Sequence, residues 1–499
     1  MTRLARWPEV GLFLILWLTL LAVGRTQMFG DPGTYWHVRV GQTILTDGQF
    51  FRHDPYTFTF HGKHWIPQQW AGECAMALAD RLNGLDSLLL GAATLLAGFY
   101  AWLGGRLIRA GLHPLPACLL LALCLGASSF HFHIRPNLAS IVFFGLTVAL
   151  LIDCERQPSE RWRWLWLLLP GFVVWANVHG GVLAGIATLG LVAVGWLMGW
   201  VVAQRGPLTS WAGAAGLLAL LVGCLLSPLV NPFGLDMLDT WQRIMTSKAL
   251  PELILEHRPM ELTSFEGLVA VGLFAVYLVV LAGIKPRQWR VVWLVPAVWF
   301  VLSLERVRYA PFFALAAALV IADALPLSRV RGSLVEQPTP ASRAQRLVFA
   351  ATVCLALGLA VLVQQAGWPV PILAAGQVRP DPKIAPLELL PHLRDYLHER
   401  GEGRPIFNDA NFGGFLLYYV PAFQIYMDDR CELYGDDWLR RYHRFITEQP
   451  ERIEDSARFY GFELALVQRH SAMERYLQQA PAWRSVAQTE YASLYRRRE

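Results

Sequence analysis

Residues 30–70 read GDPGTYWHVRVGQTILTDGQFFRHDPYTFTFHGKHWIPQQW and form the first long polar segment of the chain. They follow an apolar run that is long enough to cross a membrane. The segment has two Asp-Pro steps, and it sets carboxylates and imidazoles among aromatic rings, namely Asp31, Asp47, Asp54, His37, His53, His61 and His64. A loop that only joined two spans would not need these groups. The segment therefore predicts a site at the membrane surface for a polar, membrane-borne substrate.

The composition of the whole chain indicates a membrane protein. Of its 499 residues, 55% are hydrophobic and 16% are charged, and the mean hydropathy is +0.36. A soluble domain carries about a quarter charged residues. The net charge of +5 is modest, and the basic residues gather in short loops. This distribution is typical of membrane topology and argues against nucleic-acid binding.

Apolar runs recur along most of the chain and predict about eleven transmembrane helices. These spans are residues 8–27, 86–105, 114–132, 137–154, 162–178, 181–203, 211–229, 264–284, 289–304, 309–326 and 346–366. With the N-terminus in the cytoplasm, every cytoplasmic loop carries Lys or Arg, as the positive-inside rule requires. These residues are Arg106, Arg109, Arg156, Arg161, Arg163, Arg205, Lys285, Arg287, Arg290, Arg329, Arg331, Arg343 and Arg346.

The polar clusters all fall on the opposite face in this topology. Besides the opening segment, they are residues 131–137 (HFHIRPN), 175–181 (WANVHGG), 231–234 (NPFG) and 305–309 (ERVRY). Span ends carry polar residues in any membrane protein, which is the alternative explanation for each single cluster. That alternative does not account for their shared side, so we expect the clusters to converge on one external site.

The fold class that we predict is an α-helical polytopic membrane protein with a C-terminal soluble α/β domain. Residues 1–368 form the transmembrane domain, whose first external loop, residues 28–85, holds an interfacial helix at 68–83 and begins a shorter one at 41–45. Residues 369–383 are rich in Pro and Gly and predict a linker. Residues 384–499 alternate strand-like and helix-like segments, and an odd number of spans places this domain outside.

Three acidic residues of the first loop are candidates for the chemistry. Asp31 precedes Pro32, which fixes the backbone beyond it, and a carboxylate here would act as general base on an acceptor hydroxyl or ligate a divalent metal. The alternative is a turn or helix cap. Asp54 starts the second Asp-Pro turn, and Glu73 is a further metal-ligand candidate unless it lies only on a solvated helix face.

Arginines at external span ends are the candidates for phosphate binding. Arg135, or Arg306 and Arg308 beside Tyr309, would pair with a phosphate through the planar guanidinium group. The alternative is that these side chains reach toward lipid headgroups. Positive charge is disfavoured on this face, so we favour substrate binding.

Polar side chains elsewhere are candidates for holding a sugar. Asn177 and His179 precede two glycines and would hydrogen-bond a sugar or cap a helix, and His37 lies close to Asp31. In the C-terminal domain, polar residues gather where strands end, with ordinary turns as the alternative, namely Asn408, Asp409, Asn411, Asp428, Asp429 and Arg430. Cys74 and Cys431 lie in predicted external segments and either pair or stay free.

Several of these motifs together resemble a bacterial branch of the GT-C superfamily, integral-membrane glycosyltransferases that use polyprenyl-phosphate sugars. They are residues 31–38 (DPGTYWHV), 54–59 (DPYTFT), 64–70 (HWIPQQW), 135–136 (RP), 175–181 (WANVHGG) and 428–434 (DDRCELY). The resemblance covers nearly the whole chain. It implies that Asp31 is the catalytic carboxylate and that Asp54 is the second acidic residue that many members place nearby.

The expected reaction is a one-step inverting transfer at the external face of the bacterial inner membrane. The donor is a polyprenyl-phosphate-linked sugar, the acceptor is a glycan, a lipid or a protein, and a divalent metal is the only cofactor under consideration. One alternative is a ligase or polymerase that moves a whole glycan from a lipid carrier. Another is a transporter or a non-catalytic assembly protein, although the spans show neither clear charges nor inverted repeats.

Overall fold

The computed structural model of the chain describes residues 7–334 and 341–498. Up to residue 366 the regular structure is helical. The α-helices are α1 (Pro8–Gln27), α2 (Gly33–Asp47), α3 (Trp70–Asn83), α4 (Leu85–Arg109), α5 (Pro114–Ser128), α6 (Asn137–Arg156), α7 (Pro158–Arg161), α8 (Leu168–Val178), α9 (Val182–Ala203), α10 (Trp211–Leu226), α11 (Asp236–Thr246), α12 (Ala249–Leu253), α13 (Phe265–Ala282), α14 (Val295–Glu305), α15 (Ala310–Ala324) and α16 (Arg343–Gln365).

Nine helical stretches within the described residues are long and apolar enough to cross a membrane, judged by length and composition. Each coincides with one of the eleven predicted spans. The other two predicted spans correspond to shorter helices, because α8 and α14 begin only after 3-10 turns at Trp162–Leu167 and Val291–Leu294. A proline in the first turn of α14 has no N–H to donate, so the regular helix starts there. Of the eleven predicted spans, nine are therefore helical stretches of at least 18 residues within the described chain, and two contain shorter helices.

The first long loop, residues 28–85, is built on a tight pair of helices, α2 and α3. The helix predicted over residues 68–83 is present as α3, whereas the short helix predicted from residue 41 is part of the longer α2, which already starts at Gly33. A methyl group on Gly41 would lie 2.0 Å from the backbone oxygen of Glu73. Only glycine allows this approach, and the contact brings the polar side chains of both helices together.

The C-terminal domain is an α/β domain, as predicted. Its five-stranded sheet has the order β2-β1-β3-β5-β4, in which β1 pairs in parallel with β2 and β3, and β5 pairs antiparallel with β3 and β4. The strands are β1 (Pro405–Asn408), β2 (Gln424–Ile425), β3 (Leu464–Gln468), β4 (Trp483–Gln488) and β5 (Ala492–Arg497), and the helices are α17 (Leu390–Arg400), α18 (Gly413–Tyr419), α19 (Cys431–Thr447), α20 (Ile453–Tyr460) and α21 (Ala472–Gln479).

The C-terminal domain docks onto the first long loop, residues 28–85. Thr57 forms a parallel bridge to Ile425, so the loop extends the edge of the sheet beside β2. A methyl group on Gly414, at the start of α18, would lie 2.2 Å from the backbone oxygen of Pro32. The domain therefore contacts the loop directly at the first Asp-Pro turn, where Asp31 lies.

The linker between the two domains is fixed at its centre. The Asp86 carboxylate, in the first turn of α4, accepts hydrogen bonds from the backbone N–H groups of Gly376, Gln377 and Val378 at 2.7–3.1 Å. The prediction of a linker over residues 369–383 does not include this contact, because its partner is distant in the sequence.

Candidate functional site

The predicted polar clusters meet at one end of the helix bundle. Helix α1 runs from Pro8, beside Glu9, to Gln27, shortly before Asp31. At the Glu9 end, ion pairs join Glu9 to Arg109 and Arg106 to Asp153. At the Asp31 end, contacts join the first loop to residues 131–137, 177–181 and 231–257. A helix of twenty residues is about 30 Å long. The two sets of contacts therefore lie at opposite ends of the helix bundle.

Asp31 lies at the centre of the cluster and pairs with Arg135. Its Oδ1 accepts a hydrogen bond from the backbone N–H of Gly33 at 2.8 Å, and its Oδ2 lies 3.1 Å from Arg135 Nη1. Arg135 Nη2 lies 2.9 Å from Glu256 Oε2, on the segment after α12. The side chains are 15–22% exposed. Two of the predicted site residues, Asp31 and Arg135, are therefore in direct contact and open to solvent or substrate.

Asp429 of the C-terminal domain faces the same point as Asp31. A methyl group on Gly33 would lie 2.6 Å from Asp31 Oδ1, 2.9 Å from Arg135 Cδ and 3.4 Å from Asp429 Oδ2. Burial, and then the neighbouring charges of Asp31 and Asp428, raise the pKa of Asp429 well above its usual range. The sequence singled out Asp429 only as one of several polar strand-end residues, and no local signal distinguishes it from Asp428.

A second arginine, Arg308, extends the cluster beyond Glu256. Arg308 Nη1 lies 2.6 Å from His257 Nε2. Burial by itself would raise the pKa of Glu256, but Arg135 and Arg308 outweigh it and hold that pKa well below the usual range. Burial, and then Arg308, lower the pKa of His257 to about 3, so the imidazole is neutral. The sequence reasoning missed Glu256 and His257, because their loop carries no recognisable motif.

The predicted sugar-binding residues Asn177 and His179 make bonds within the protein. The Asn177 amide accepts from Trp70 Nε1 at 2.7 Å and donates to the backbone oxygens of Val173 and Val230. His179 Nδ1 accepts from the backbone N–H of Gly181 at 2.9 Å and lies 2.8 Å from the Ser140 hydroxyl. Burial, and then Arg308, lower the pKa of His179 to about 3. These contacts hold the loops that carry the cluster.

His37 and Glu73 form a separate buried pair. His37 Nδ1 lies 2.9 Å from Glu73 Oε1, and both side chains are almost fully buried. Burial, and then the charge of Glu432, raise the pKa of Glu73 well above its usual range, whereas burial and then Arg135 lower the pKa of His37. Both shifts favour the neutral forms of the two groups, and Glu73 Oε2 has no hydrogen-bond partner in the described part of the chain.

The two candidate metal ligands do not converge. Asp31 pairs with Arg135 and Glu73 pairs with His37. Among residues 7–334 and 341–498, no group of three His, Cys, Asp or Glu side chains could hold a metal ion. We assign no step of the proposed reaction to a metal.

Asp54 lies in a buried ion-pair network with Arg430. Asp54 Oδ1 lies 2.8 Å from Arg430 Nη1, while its Oδ2 accepts from the backbone and hydroxyl of Thr57. Arg430 also pairs with Asp428 at 2.7 Å and lies over the Trp65 ring at 4.4 Å. Asp54, Asp428 and Arg430 are all fully buried. The network fastens the second Asp-Pro turn to the C-terminal domain, and both oxygens of Asp54 are used in it.

The remaining predicted residues lie at the edge of the cluster. Arg306 donates to the backbone oxygen of Met245 at 3.3 Å, and the Tyr309 ring packs edge-on against Trp299. Cys74 and Cys431 are both free thiols, which settles the alternative left open by the sequence.

Two cavities are lined by sequence neighbours of the Asp31–Arg135–Asp429 cluster. The first, of about 300 Å³, lies between α1, α4 and α5, is lined mostly by apolar side chains and includes His133, two residues before Arg135. The buried Nδ1 of His133 has no hydrogen-bond partner among the residues that the structure describes. The second, of about 340 Å³, lies between α11 and α19 and reaches Cys431 and Glu432, next to Asp429. The residues next to the cluster in sequence thus line one apolar cavity and one more polar cavity.

The fold is that of a multi-pass membrane protein of the GT-C type, as the resemblance in the sequence implies. One solved structure with this fold is ArnT from Cupriavidus metallidurans in the apo state, with a TM-score of 0.54 and 16% identity over 98% of this chain and 96% of that chain. The mycobacterial arabinofuranosyltransferase AftD also matches, with a TM-score of 0.47 and 14% identity over 96% of this chain and 41% of that chain. No family model and no curated protein sequence matches the chain.

Proposed function

We propose that this protein is a membrane glycosyltransferase that moves a sugar from a polyprenyl-phosphate donor to an acceptor hydroxyl, with Asp31 as the catalytic carboxylate. The observation that supports this most is the Asp31–Arg135 pair, which lies close in sequence to an apolar cavity among the helices: His133 lines that cavity and is two residues from Arg135, and Met28 lines it three residues before Asp31. A transfer site for a lipid-linked sugar needs an apolar path for the lipid and charged groups near it, and this arrangement offers both.

The donor is proposed to bind with its lipid in the apolar cavity. The cavity is lined by α1, α4 and α5 and includes His133, whose buried Nδ1 is open for a hydrogen bond. The donor phosphate then lies next to Arg135, which presents a planar guanidinium group, and Arg308 supplies a second positive charge beyond Glu256. Positive charge held in a partly buried site stabilises the phosphate as it leaves.

The acceptor is proposed to reach Asp31 by way of the more polar cavity. That cavity is lined by residues of α11 and by Cys431 and Glu432, which follow Asp429 in the sequence. Asp31 takes the proton from the acceptor hydroxyl, the acceptor oxygen attacks the anomeric carbon, and the bond from that carbon to the phosphate oxygen breaks with inversion. A positioned general base of this kind contributes about 10²- to 10⁴-fold in rate.

The location follows from the same topology. The proposed site lies on the external face of the bacterial inner membrane, with the N-terminus in the cytoplasm and the C-terminal domain outside. The basic residues at the opposite end of the helix bundle support this, because Arg106 and Arg109 lie there, beside Glu9 and Asp153, and the positive-inside rule places such residues in the cytoplasm.

The proposal is tested with purified protein and radiolabelled polyprenyl-phosphate sugars. We expect the wild type to release the lipid phosphate and to label an acceptor, and we expect Asp31→Asn to lose at least about 10²-fold in turnover. Asp455→Asn is the matched control, because Asp455 is exposed and pairs only with Arg458 in the described structure. Equal turnover of Asp31→Asn and the wild type would rule out the catalytic role.

A further inference from the structure

We propose that Asp429, supplied by the C-terminal domain, is a second catalytic residue and acts as the general acid that protonates the departing lipid phosphate. This inference rests on the proposed function. It assigns the second carboxylate of the site to Asp429 in place of Asp54, whose two oxygens are both engaged with Arg430 and Thr57.

The geometry places Asp429 against the reacting groups. The position of a methyl group on Gly33 lies 3.4 Å from Asp429 Oδ2 and 2.6 Å from Asp31 Oδ1, so the two carboxyl groups from different domains face each other across this glycine. Asp429 Oδ1 is buried and has no hydrogen-bond partner within the described residues. A carboxyl oxygen that is free, buried and beside the Asp31–Arg135 pair is available for a substrate atom.

The surroundings of the two carboxyl groups differ. Asp31 forms an ion pair with Arg135, with Asp31 Oδ2 3.1 Å from Arg135 Nη1. Asp429 faces Asp31 and Arg135 from the membrane domain and Asp428 from its own turn, and it adjoins the Cys431 thiol. Burial and the two neighbouring carboxylates favour the neutral form of Asp429. One group is therefore a base and the other an acid, which is the division of roles that proton transfer in both directions requires.

The charge balance of the cluster agrees with a neutral Asp429. Arg135 and Arg308 offset the charges of Asp31 and Glu256. A third negative charge at Asp429 would repel the donor phosphate. A protonated Asp429 removes that repulsion and can also donate a hydrogen bond to a phosphate oxygen.

The proposed step balances without a further reactant. The acceptor oxygen bonds to the anomeric carbon and its proton moves to Asp31, while the bond between that carbon and the phosphate oxygen breaks. The Asp429 proton moves to the leaving phosphate. Return of a proton from Asp31 to Asp429 after product release restores the resting state.

The C-terminal domain holds Asp429 rigidly for this role. Arg430, the next residue, is buried between Asp54 of the membrane domain and Asp428. This ion-pair network fixes the turn that carries Asp429 relative to the loop that carries Asp31, so the site is assembled from both domains.

The test compares Asp429→Asn, Asp429→Glu and the wild type as full-length protein. We expect Asp429→Asn to lower kcat by about 10²-fold or more and to abolish the fall in kcat that the wild type shows at high pH, where a general acid loses its proton. Asp429→Glu keeps an ionisable group and is expected to retain this fall. Asp455→Asn, on the same domain, is expected to match the wild type.

A second substrate separates catalysis from folding. A donor whose fluorinated lipid lowers the pKa of the leaving phosphate needs less protonation, so it is expected to restore most of the rate lost in Asp429→Asn. If Asp429→Asn loses the same fraction of its rate with both donors, the general-acid role is overturned. It is also overturned if Asp429→Asn has the rate and the pH profile of the wild type. If the wild type itself transfers no sugar from any donor, the proposed function fails. If it transfers and only Asp31→Asn is inactive, this inference alone fails.

Discussion

Arg430 is the residue that most changes the interpretation of the sequence. It is fully buried, it pairs with Asp54 and Asp428, and it lies over the rings of Trp65 and Tyr56. The sequence shows an Asp-Pro turn at residue 54. It does not show that Arg430, far along the chain, forms an ion pair with Asp54. The first catalytic candidate, Asp31, was recognisable because it follows directly on a span, whereas Asp429 became visible only through its neighbours in space.

At this scale we predict that Arg430→Met strongly destabilises the protein. The variant leaves Asp54 and Asp428 buried without their positive partner, and breaking a buried ion pair in this way costs about 3–5 kcal/mol. The measurement is thermal unfolding in detergent. Arg458→Met is the control, because its pair with Asp455 is exposed and such pairs contribute about 0–1 kcal/mol. A melting temperature for Arg430→Met equal to that of the control would contradict the role of the network.

Among the secondary-structure elements, the close pair α2 and α3 positions the first loop. The backbone of α3 approaches Gly41 so closely that no other residue fits there. We predict that Gly41→Ala separates the two helices, disrupts the His37–Glu73 pair and lowers both stability and activity, with a stability loss of about 1–3 kcal/mol.

The matched control for this prediction is Gly98→Ala in α4. A methyl group on Gly98 meets no atom within 4 Å, so the substitution is expected to be neutral or slightly stabilising. The measurement is the thermal unfolding of Gly41→Ala and of Gly98→Ala. A Gly41→Ala variant as stable as Gly98→Ala would show that the helices can move apart without loss.

The sequence predicts the helices well where apolar length alone decides them. Nine spans and α3 are found where their patterns indicate. It predicts less well where local chemistry decides, because 3-10 turns shorten α8 and α14 and because α2 extends back to Gly33. Hydropathy measures apolar content and does not report where regular helix geometry begins.

For the whole molecule, the sequence predicts two domains and a linker but not how they contact each other. The C-terminal domain extends its sheet with Thr57 and places α18 against Pro32. Both contacts depend on backbone atoms and on a glycine, and neither leaves a pattern in the sequence. The candidate site is therefore a property of the assembled molecule, since Asp31 and Asp429 belong to different domains.

The proposed topology predicts on which side of the membrane a reporter protein lies when it is fused at each of two points in the chain. Alkaline phosphatase, which is active only outside the cytoplasm, is expected to be active when fused after residue 498 and inactive when fused after Gln204, which lies between α9 and α10. A fluorescent protein that folds only in the cytoplasm is expected to give the reverse result. Phosphatase activity of the Gln204 fusion, or no activity of the residue 498 fusion, would contradict the proposal that the candidate site lies on the external face of the membrane.

The carboxylate of Asp86 determines how this molecule can move. By accepting hydrogen bonds from three successive amides of the linker, it restrains the segment about which the C-terminal domain would otherwise hinge relative to the helices. If the protein is the glycosyltransferase proposed above, we therefore expect substrates and products to pass through the cavities between α1, α4 and α5 and between α11 and α19, without displacement of the C-terminal domain.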